Sequence, residues 1–391
     1  MTDPTRMRLA LLAPFDPRYW NLGGTIATLR LARALAERGH EVTFFAGHSH
    51  QESICVEGGL TLNYSTGHNR LPFYASFHAD RCVAAAFKRE HQHRPFAGIL
   101  CRSGHLFHAL KVPRRVARVF ILDDVVMQEL HALPKWTLRI RFWPQVATAA
   151  YFDRRAAYSA DRIFVLMRSG VQDVEDAYPG CGIKTNVIPV GIDRPWFEGP
   201  IRPLEDRLSP AVFMFQGTRG RSTRRDLNLF ARALALLNSR GFPVQALLIR
   251  TDPQEAARVC GDLDVGYHVL NDIPEPDLIA AYDRALALVV PSYREGMCIP
   301  LVEAAARGTP SVASDLPQMR EIVGDGPTGV LVPGYNPVNW ADVMEKLLTG
   351  QEAWMRFSRA GTSSAETYSM ARIAAKVDEI LQEIVRNRGE R

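Results

Sequence analysis

The sequence predicts an α/β protein of two domains, each built on a parallel β-sheet. At 391 residues the chain is longer than one hydrophobic core usually serves. Short apolar runs alternate with segments of helical periodicity, a pattern typical of parallel sheets with helices on both faces. The hydrophobic fraction of 47% and the charged fraction of 23% are those of a globular protein. We therefore expect two Rossmann-like domains with parallel sheets facing a central cleft.

The first domain opens with a βαβ unit. An apolar strand at 8–14 is followed by a loop with Gly23 and Gly24, then by an amphipathic helix and a strand at 41–46. Glycines at a helix start let a phosphate or a sugar approach the backbone closely. Gly23 and Gly24 are therefore either a ligand-binding loop or a simple tight turn. They do not form the GxGxxG pattern of dinucleotide binding.

Two further strands of the first domain end next to polar residues. These strands are predicted around Ile99 and around Phe120, and His105 and Asp123 follow them. Ligands of α/β proteins bind outside the carboxyl ends of the strands. His105 and Asp123 are therefore candidates for a site, with a structural role as the alternative.

A Pro-rich segment marks the domain boundary. It follows predicted strands at 161–167 and 186–193, and there we divide the chain into domains 1–193 and 194–370. The last helix, within 371–391, carries an apolar stripe along one side. We expect it to pack back on the first domain.

The second domain repeats the alternation. Its predicted strands are 211–217, 244–250, 266–270, 285–290 and 310–314, and its predicted helices are 226–240, 255–260, 276–284 and 302–307. One strand ends at Pro291, and Pro300 opens the helix that follows. Two carboxylates, Glu295 and Glu303, bracket this strand-to-helix turn. Helix amino termini at such an edge attract anions, so the sequence predicts a site for a phosphorylated ligand.

Four segments of the sequence resemble the family 4 retaining glycosyltransferases, which have the two-domain GT-B fold. They are EGMCIPLVEAAARGTPSVASD at 295–315, LPQMREIVGDGPTGVLVP at 316–333, NVIPVGID at 186–193 and the Gly-Gly loop. The resemblance spans nearly the whole chain in the family's order. It implies a hexosyltransferase that takes its sugar from a nucleoside diphosphate sugar and retains the anomeric configuration. It also implies that no metal or other cofactor is needed.

The resemblance assigns roles around the strand-to-helix turn. Glu295 would bind hydroxyls of the donor hexose, and Glu303 would bind the ribose hydroxyls of the nucleotide. A carboxylate suits both places because it can accept from two hydroxyl donors at once. The base of the nucleotide is expected near 268–273. The backbone N–H groups that would meet the sugar and the diphosphate are those of Gly296, Met297 and Cys298.

Cations are expected to stabilise the negative charge that develops on the leaving nucleoside diphosphate. Arg219 matches the first cation of the family. Either Arg224 or Arg225 matches the second, where the family has a lysine followed by glycine and this chain has arginine followed by Asp226. An Asp-x-Asp pattern at 262–264 is read as a turn and not as a metal site.

The acceptor side departs from the family. A histidine that many members carry after the strand near Phe120 is absent here, and either Asp123 or His105 takes its place as a catalytic residue. The resemblance implies a hydroxyl acceptor on a glycan, a lipid-linked molecule or a small metabolite. Other functions stay open: a sugar-nucleotide epimerase or a phosphorylase of similar fold, or a donor-binding protein without transfer activity.

A basic and aromatic segment at 135–143 suggests contact with an anionic membrane surface. The alternative is a helix that packs its aromatic rings inward. No nucleic-acid-binding motif accompanies the segment, so no nucleic-acid partner is expected. The apolar run at the amino terminus is too short for a signal peptide, and the six cysteines are scattered. We expect a cytoplasmic protein, and a membrane contact through this segment would be a peripheral one at the inner membrane face.

Overall fold

The computed structural model describes residues 6–19, 23–67, 72–125, 136–217, 224–324 and 327–389, with the backbone alone at 72–77 and 136–142. The chain divides into two compact units, 1–191 with 370–391 and 192–369. This division lies close to the boundary predicted after residue 193.

The first unit is built on an eight-stranded sheet with the strand order β3-β4-β2-β1-β5-β6-β7-β8. The strands are β1 (Arg8–Ala13), β2 (Glu41–Ser49), β3 (Ser53–Glu57), β4 (Leu60–Thr66), β5 (Gly98–Cys101), β6 (Ala117–Leu122), β7 (Arg162–Val165) and β8 (Thr185–Val187). All neighbouring strands are parallel except β3 and β4, which form an antiparallel edge pair. This pair is absent from the strands predicted above.

Helices cover both faces of the first sheet. They are α1 (Gly23–Glu37), α2 (Pro72–His93), α3 (Gly104–Leu110), α4 (Trp136–Ser159) and α5 (Ser169–Ala177). Leu9 and Leu11 of β1 join the core that contains α1, whereas Ala10 and Leu12 join the core that contains α2, α3 and α4. This alternation explains why β1 reads as a continuous apolar run, since a strand buried on both faces has no polar side.

The second unit is built on a six-stranded parallel sheet with the order β11-β10-β9-β12-β13-β14. Its strands are β9 (Ala211–Gln216), β10 (Val244–Ile249), β11 (Tyr267–Leu270), β12 (Ala287–Val290), β13 (Ser311–Ser314) and β14 (Gly329–Val332). Its helices are α6 (Leu227–Ser239), α7 (Pro253–Gly261), α8 (Glu275–Arg284), α9 (Ile299–Ala306), α10 (Pro337–Thr349) and α11 (Gln351–Ala365). The predicted fold class, two Rossmann-like α/β units, is confirmed.

The last helix, α12 (Met370–Gly389), belongs to the first unit. Its buried residues Ile373, Val377 and Leu381 join the same hydrophobic core as Leu9 and Leu35. The apolar stripe that the sequence shows at the end of the chain is therefore the face that packs on the first sheet. Among the helices of the described residues, none combines the length and the apolarity needed to cross a bilayer.

The strand order fixes where a ligand can bind in each unit. In the second unit the chain runs outward from β9 to β11 on one side and from β12 to β14 on the other. The loops after β9 and β12 therefore diverge and leave a crevice at the carboxyl edge of the sheet. The first unit has the corresponding reversal between β1 and β5.

Candidate functional site

The strand-to-helix turn of the second unit places both glutamates at the carboxyl edge of the sheet. Strand β12 is fully buried and ends before Pro291, and α9 begins at Ile299 with Pro300 in its first turn. Proline suits that position because it needs no hydrogen-bond acceptor there. Glu295 lies in the intervening loop and Glu303 on the helix, and each is only 7% exposed.

Glu295 forms a buried ion pair with Arg225. Its Oε1 lies 2.7 Å from Arg225 Nε and accepts a hydrogen bond from Ser292 Oγ at 2.8 Å. Burial by itself would lower the pKa of Arg225, but the Glu295 carboxylate outweighs burial and raises that pKa above its ordinary value. The guanidinium is therefore charged and its charge is matched inside the protein.

Arg225 is one of the two candidate arginines, and it pairs with Glu295. Arg225 also donates from Nη1 to the carbonyl oxygen of Gln216, the last residue of β9, at 2.6 Å. The side chain of Arg224 is exposed, and its carbonyl oxygen accepts from the N–H of Tyr293 at 2.9 Å. Arg219, the other predicted cation, lies outside the described residues.

Asp226, at the position where the family has glycine, caps a helix and joins two loops. Its side chain accepts from the N–H of Leu229 at 2.9 Å and so caps the amino terminus of α6. Its own N–H donates to the carbonyl oxygen of Pro291 at 2.8 Å. The loop after β9 is thereby tied to the loop after β12.

Glu303 is hydrogen-bonded to a tyrosine of the neighbouring helix α8. The phenol oxygen of Tyr282, on α8, lies 2.8 Å from Glu303 Oε2 and 2.8 Å from Gln216 Oε1. Burial, reinforced by the negative charge of Glu303, raises the pKa of Tyr282 well above its ordinary value. The phenol therefore keeps its proton and can donate a hydrogen bond to the Glu303 carboxylate.

Three of the seven residues between the glutamates, Gly296, Met297 and Cys298, lead into α9. Met297 and Cys298 are buried, and Gly296 is partly exposed. Cys298 is the residue before the helix, and its thiol lies 3.7 Å from Arg225 Nη2. Burial, with the nearby Glu295 charge, raises the pKa of this thiol. The positive end of the α9 dipole faces the segment where the diphosphate was predicted to bind.

In the first unit, Gly24 and Asp123 come together around Arg102. A Cβ atom at Gly24 would lie 2.8 Å from Asp123 Oδ2 and 3.2 Å from Arg102 Cδ, whereas one at Gly23 would meet nothing within 4 Å. Arg102 pairs with Asp123 and donates from Nε to Thr28 Oγ1 at 2.8 Å. Close packing at Gly24 is thus the reason for that glycine.

His105 has partners different from those of Asp123. Its Nδ1 lies 2.8 Å from Oδ2 of Asp80, a buried residue of α2, and its ring meets the edge of the Phe152 ring. Ser103 caps α3 and donates to the same Asp80 oxygen at 3.2 Å. His105 is therefore oriented by a buried carboxylate.

Two further segments named in the sequence predictions belong to other elements of the second unit. The Asp-x-Asp pattern lies directly after α7, where Asp264 adopts a left-handed φ of 51°, so the segment is a turn. Within the described residues, no group of three His, Cys, Asp or Glu side chains could hold a metal ion. The expected base site begins in β11, and Asn271 after it donates to the carbonyl oxygen of Thr251.

Three residues of the candidate site have no role among the sequence predictions: Arg102, Tyr282 and Gln216. Arg102 directly follows β5, so its place at a strand end was the available signal. Gln216 is the last residue of β9 and carries the same signal. Tyr282 gave none, because a buried aromatic residue on a helix is ordinarily part of the core.

Two family models match the chain. The model described as Glycosyltransferase Family 4 matches residues 23–194, and the model described as Glycosyl transferases group 1 matches residues 257–364. Together they cover parts of both units.

Curated relatives include D-inositol 3-phosphate glycosyltransferases. The protein of Corynebacterium diphtheriae is 35% identical over 111 residues, which are 28% of this chain and 26% of the relative. The protein of Nocardia farcinica is 25% identical over 246 residues, which are 59% of this chain and 54% of the relative. The matches thus span between about a quarter and three fifths of the relatives' own length.

Solved structures with a similar fold cover nearly the whole chain. Sucrose-phosphate synthase from Thermosynechococcus elongatus has a TM-score of 0.80 at 19% identity and covers 97% of this chain and 99% of that one. WaaG, a glycosyltransferase involved in lipopolysaccharide biosynthesis, has a TM-score of 0.73 at 18% identity, with coverages of 95% and 99%. Anabaena HepE in complex with UDP-glucose has a TM-score of 0.70 at 15% identity, with coverages of 97% and 100%.

The two adjacent glycines provide a matched test of the packing around Arg102. Gly24→Ala is expected to displace Asp123 from Arg102, whereas Gly23→Ala meets open space. Equilibrium unfolding should therefore show Gly24→Ala to be less stable than Gly23→Ala by about 1 kcal/mol. Equal stability of the two variants would contradict the packing described here.

Proposed function

The chain belongs to the family 4 glycosyltransferases, and from that premise we propose that it transfers a hexose from a nucleoside diphosphate sugar to a hydroxyl acceptor, with retention at the anomeric carbon. The product would be a glycoconjugate, a polysaccharide or a glycosylated metabolite. The observation that carries the proposal is the buried cluster of Glu295, Glu303 and Arg225 at the carboxyl edge of the second sheet.

The donor would bind along the turn between β12 and α9. Glu303 is assigned to the ribose hydroxyls and Glu295 to the hydroxyls of the hexose. Both carboxylates are held in place by neighbouring groups. Fixed acceptors suit hydroxyl recognition because their side chains lose little conformational entropy when the ligand binds. The diphosphate would lie between them, near the amino terminus of α9 and the positive charges of Arg219 and Arg224.

Transfer would proceed on one face of the sugar. The acceptor oxygen forms its bond to the anomeric carbon as the bond to the diphosphate oxygen breaks, and the acceptor proton passes to the departing phosphate. No dedicated protein base is then needed, unlike a hydrolase with two carboxylates flanking the bond. Cationic and helix-dipole stabilisation of the leaving group would supply the electrostatic part of catalysis without a metal ion.

The acceptor is assigned to the carboxyl edge of the first sheet. Gly24, Arg102 and Asp123 meet there, and Asp123 is 40% exposed at its side chain. We favour Asp123 over His105 as the acceptor-side group, because Asp123 borders the glycine loop while Asp80 holds His105. Among the acceptor classes, the named relatives support a phosphorylated polyol.

Two other functions would use the same donor site. A sugar-nucleotide epimerase or a phosphorylase would bind the nucleotide or the sugar phosphate but would not need a hydroxyl acceptor to release it. A donor-binding protein without transfer would release no nucleotide in any mixture. The donor-binding function is considered because this chain has Asp123 where many family members have a histidine.

A panel of nucleotide sugars separates these functions. UDP, GDP, ADP and dTDP sugars are each incubated with and without acceptors, among them inositol phosphate, and nucleotide release is followed with and without a chelator. Release that depends on an acceptor and persists with the chelator is the expected result. Interconversion of donors without any acceptor would exclude transfer.

Variants of the two glutamates are expected to affect different kinetic constants. Glu303→Gln should raise KM for the donor about 10-fold with little change in kcat. The reason is that it removes the charged group assigned to accept hydrogen bonds from the ribose of the nucleotide. Glu295→Gln should mainly lower kcat, because it disturbs the group assigned to the reacting sugar. Glu379→Gln, on the exposed side of α12, is the control. Unchanged kinetics in both site variants would remove the assignment.

We also propose a peripheral membrane contact through 135–143. Exposed residues further along the same helix, α4, would enlarge this contact. Lys135 lies outside the described residues, but the residues Trp143, Tyr151 and Tyr158 are 51%, 55% and 46% exposed. Spacings of eight and seven residues bring these rings to one side of the helix. Arg154 and Arg155 lie 5.7 Å from the Tyr158 and Tyr151 ring centroids. Aromatic rings interleaved with arginines suit an anionic lipid surface.

Vesicle co-sedimentation tests this contact. Replacing Arg154 and Arg155 by Gln should weaken binding to anionic vesicles about 10-fold or more, at about 1 kcal/mol for each basic residue. Ile183→Ala is the control, because Ile183 is 95% exposed outside α4. Equal binding to anionic and zwitterionic vesicles, or indifference to the arginines, would contradict the proposal.

A further inference from the structure

A continuous hydrogen-bonded chain joins the two glutamates of the site. Glu303 Oε2 lies 2.8 Å from the phenol oxygen of Tyr282, which lies 2.8 Å from Gln216 Oε1. The carbonyl oxygen of the same Gln216 accepts from Arg225 at 2.6 Å, and Arg225 lies 2.7 Å from Glu295. The chain thus passes through the last residue of β9.

We infer that Tyr282 is a positioning residue for the nucleotide, which fixes Glu303 for recognition of the ribose 2′- and 3′-hydroxyls. The inference rests on the proposed function and assigns a further residue to that site. Tyr282 would not touch the ligand itself. It acts by fixing one oxygen of the Glu303 carboxylate, and with it the direction of the other.

The phenol of Tyr282 has one proton, and this limits the hydrogen bonds that it can donate. Tyr282 can donate to only one of its two neighbours, and a bond to a carboxylate is stronger than one to an amide oxygen. If Tyr282 donates to Glu303, the phenol oxygen can still accept a hydrogen bond. The Gln216 side-chain amide, when flipped, can donate that hydrogen bond from its NH2 group. Each group in the chain then has a defined hydrogen-bond role.

The ring and the hydroxyl of Tyr282 have separable roles. The side chain is fully buried, and its ring meets the edge of the Trp196 ring at a centroid distance of 5.4 Å. Phenylalanine would keep this packing and lose only the hydroxyl. A hydroxyl retained in such a place must be hydrogen-bonded, because burying it without a partner is unfavourable. Here its partner is the carboxylate assigned to the ribose.

A comparison of ribose and deoxyribose nucleotides tests the inference. Whichever of UDP, GDP and ADP binds the wild-type protein most tightly is titrated by calorimetry beside its 2′-deoxy analogue. Tyr282→Phe should weaken binding of the ribonucleotide about 10-fold, which is about 1.4 kcal/mol. It should weaken binding of the deoxy analogue much less, so the preference for ribose shrinks.

A second measurement separates positioning from packing. In a protein that already carries Glu303→Gln, adding Tyr282→Phe should change nucleotide affinity little, because the group that Tyr282 positions has lost its charge. Tyr178→Phe, at a tyrosine only 4% exposed in the first unit, controls for the loss of a buried hydroxyl. Melting temperatures of all variants establish that they are folded.

The outcomes distinguish this inference from the proposed function. Wild-type protein that binds no nucleoside diphosphate would overturn the proposed function and the inference with it. Wild-type binding with equal losses for both nucleotides, or the same loss with and without Glu303→Gln, would overturn the inference alone. A variant Tyr282→Phe that binds both nucleotides like the wild type would do the same.

Discussion

The buried ion pair between Arg225 and Glu295 is the constraint on which the second-unit site depends. Both side chains are less than a tenth exposed, so each charge needs the other. A buried pair adds little net stability, but losing one partner leaves an uncompensated charge and is costly. The pair, together with the bond from the Asp226 N–H to the Pro291 carbonyl, therefore fixes the loop after β9 against the loop after β12.

This pairing also determines which charges can meet an anionic ligand. The positive charge of Arg225 is already matched by Glu295, and Glu303 adds a further negative charge at the same edge. A diphosphate placed there would need additional cations, since like charges in a low-dielectric site repel strongly. Arg219 and Arg224 stand in the segment after β9, which is why we assign the diphosphate to that side of the turn.

Local sequence patterns predicted the elements but not the contacts between them. The turn between β12 and α9 and the apolar stripe of α12 follow from periodicity and proline placement. Tyr282 and Gln216 stand 66 positions apart, and no local pattern reports that their side chains meet. The strands β3 and β4 were both missed because neither has the long apolar run that marked the other strands: β3 has three apolar residues, and β4 alternates apolar with polar ones.

Two departures from the family pattern, arginine in place of lysine at 225 and aspartate in place of glycine at 226, have defined contacts in the structure. An ammonium group is a single point of charge, whereas a guanidinium is a planar fork with five donors. Arg225 uses that fork to reach Glu295, the Gln216 carbonyl and the Cys298 sulfur from one position. The next residue, Asp226, caps α6. Arginine followed by aspartate thus fixes a guanidinium against Glu295 at the carboxyl edge of β9 and caps the helix that follows.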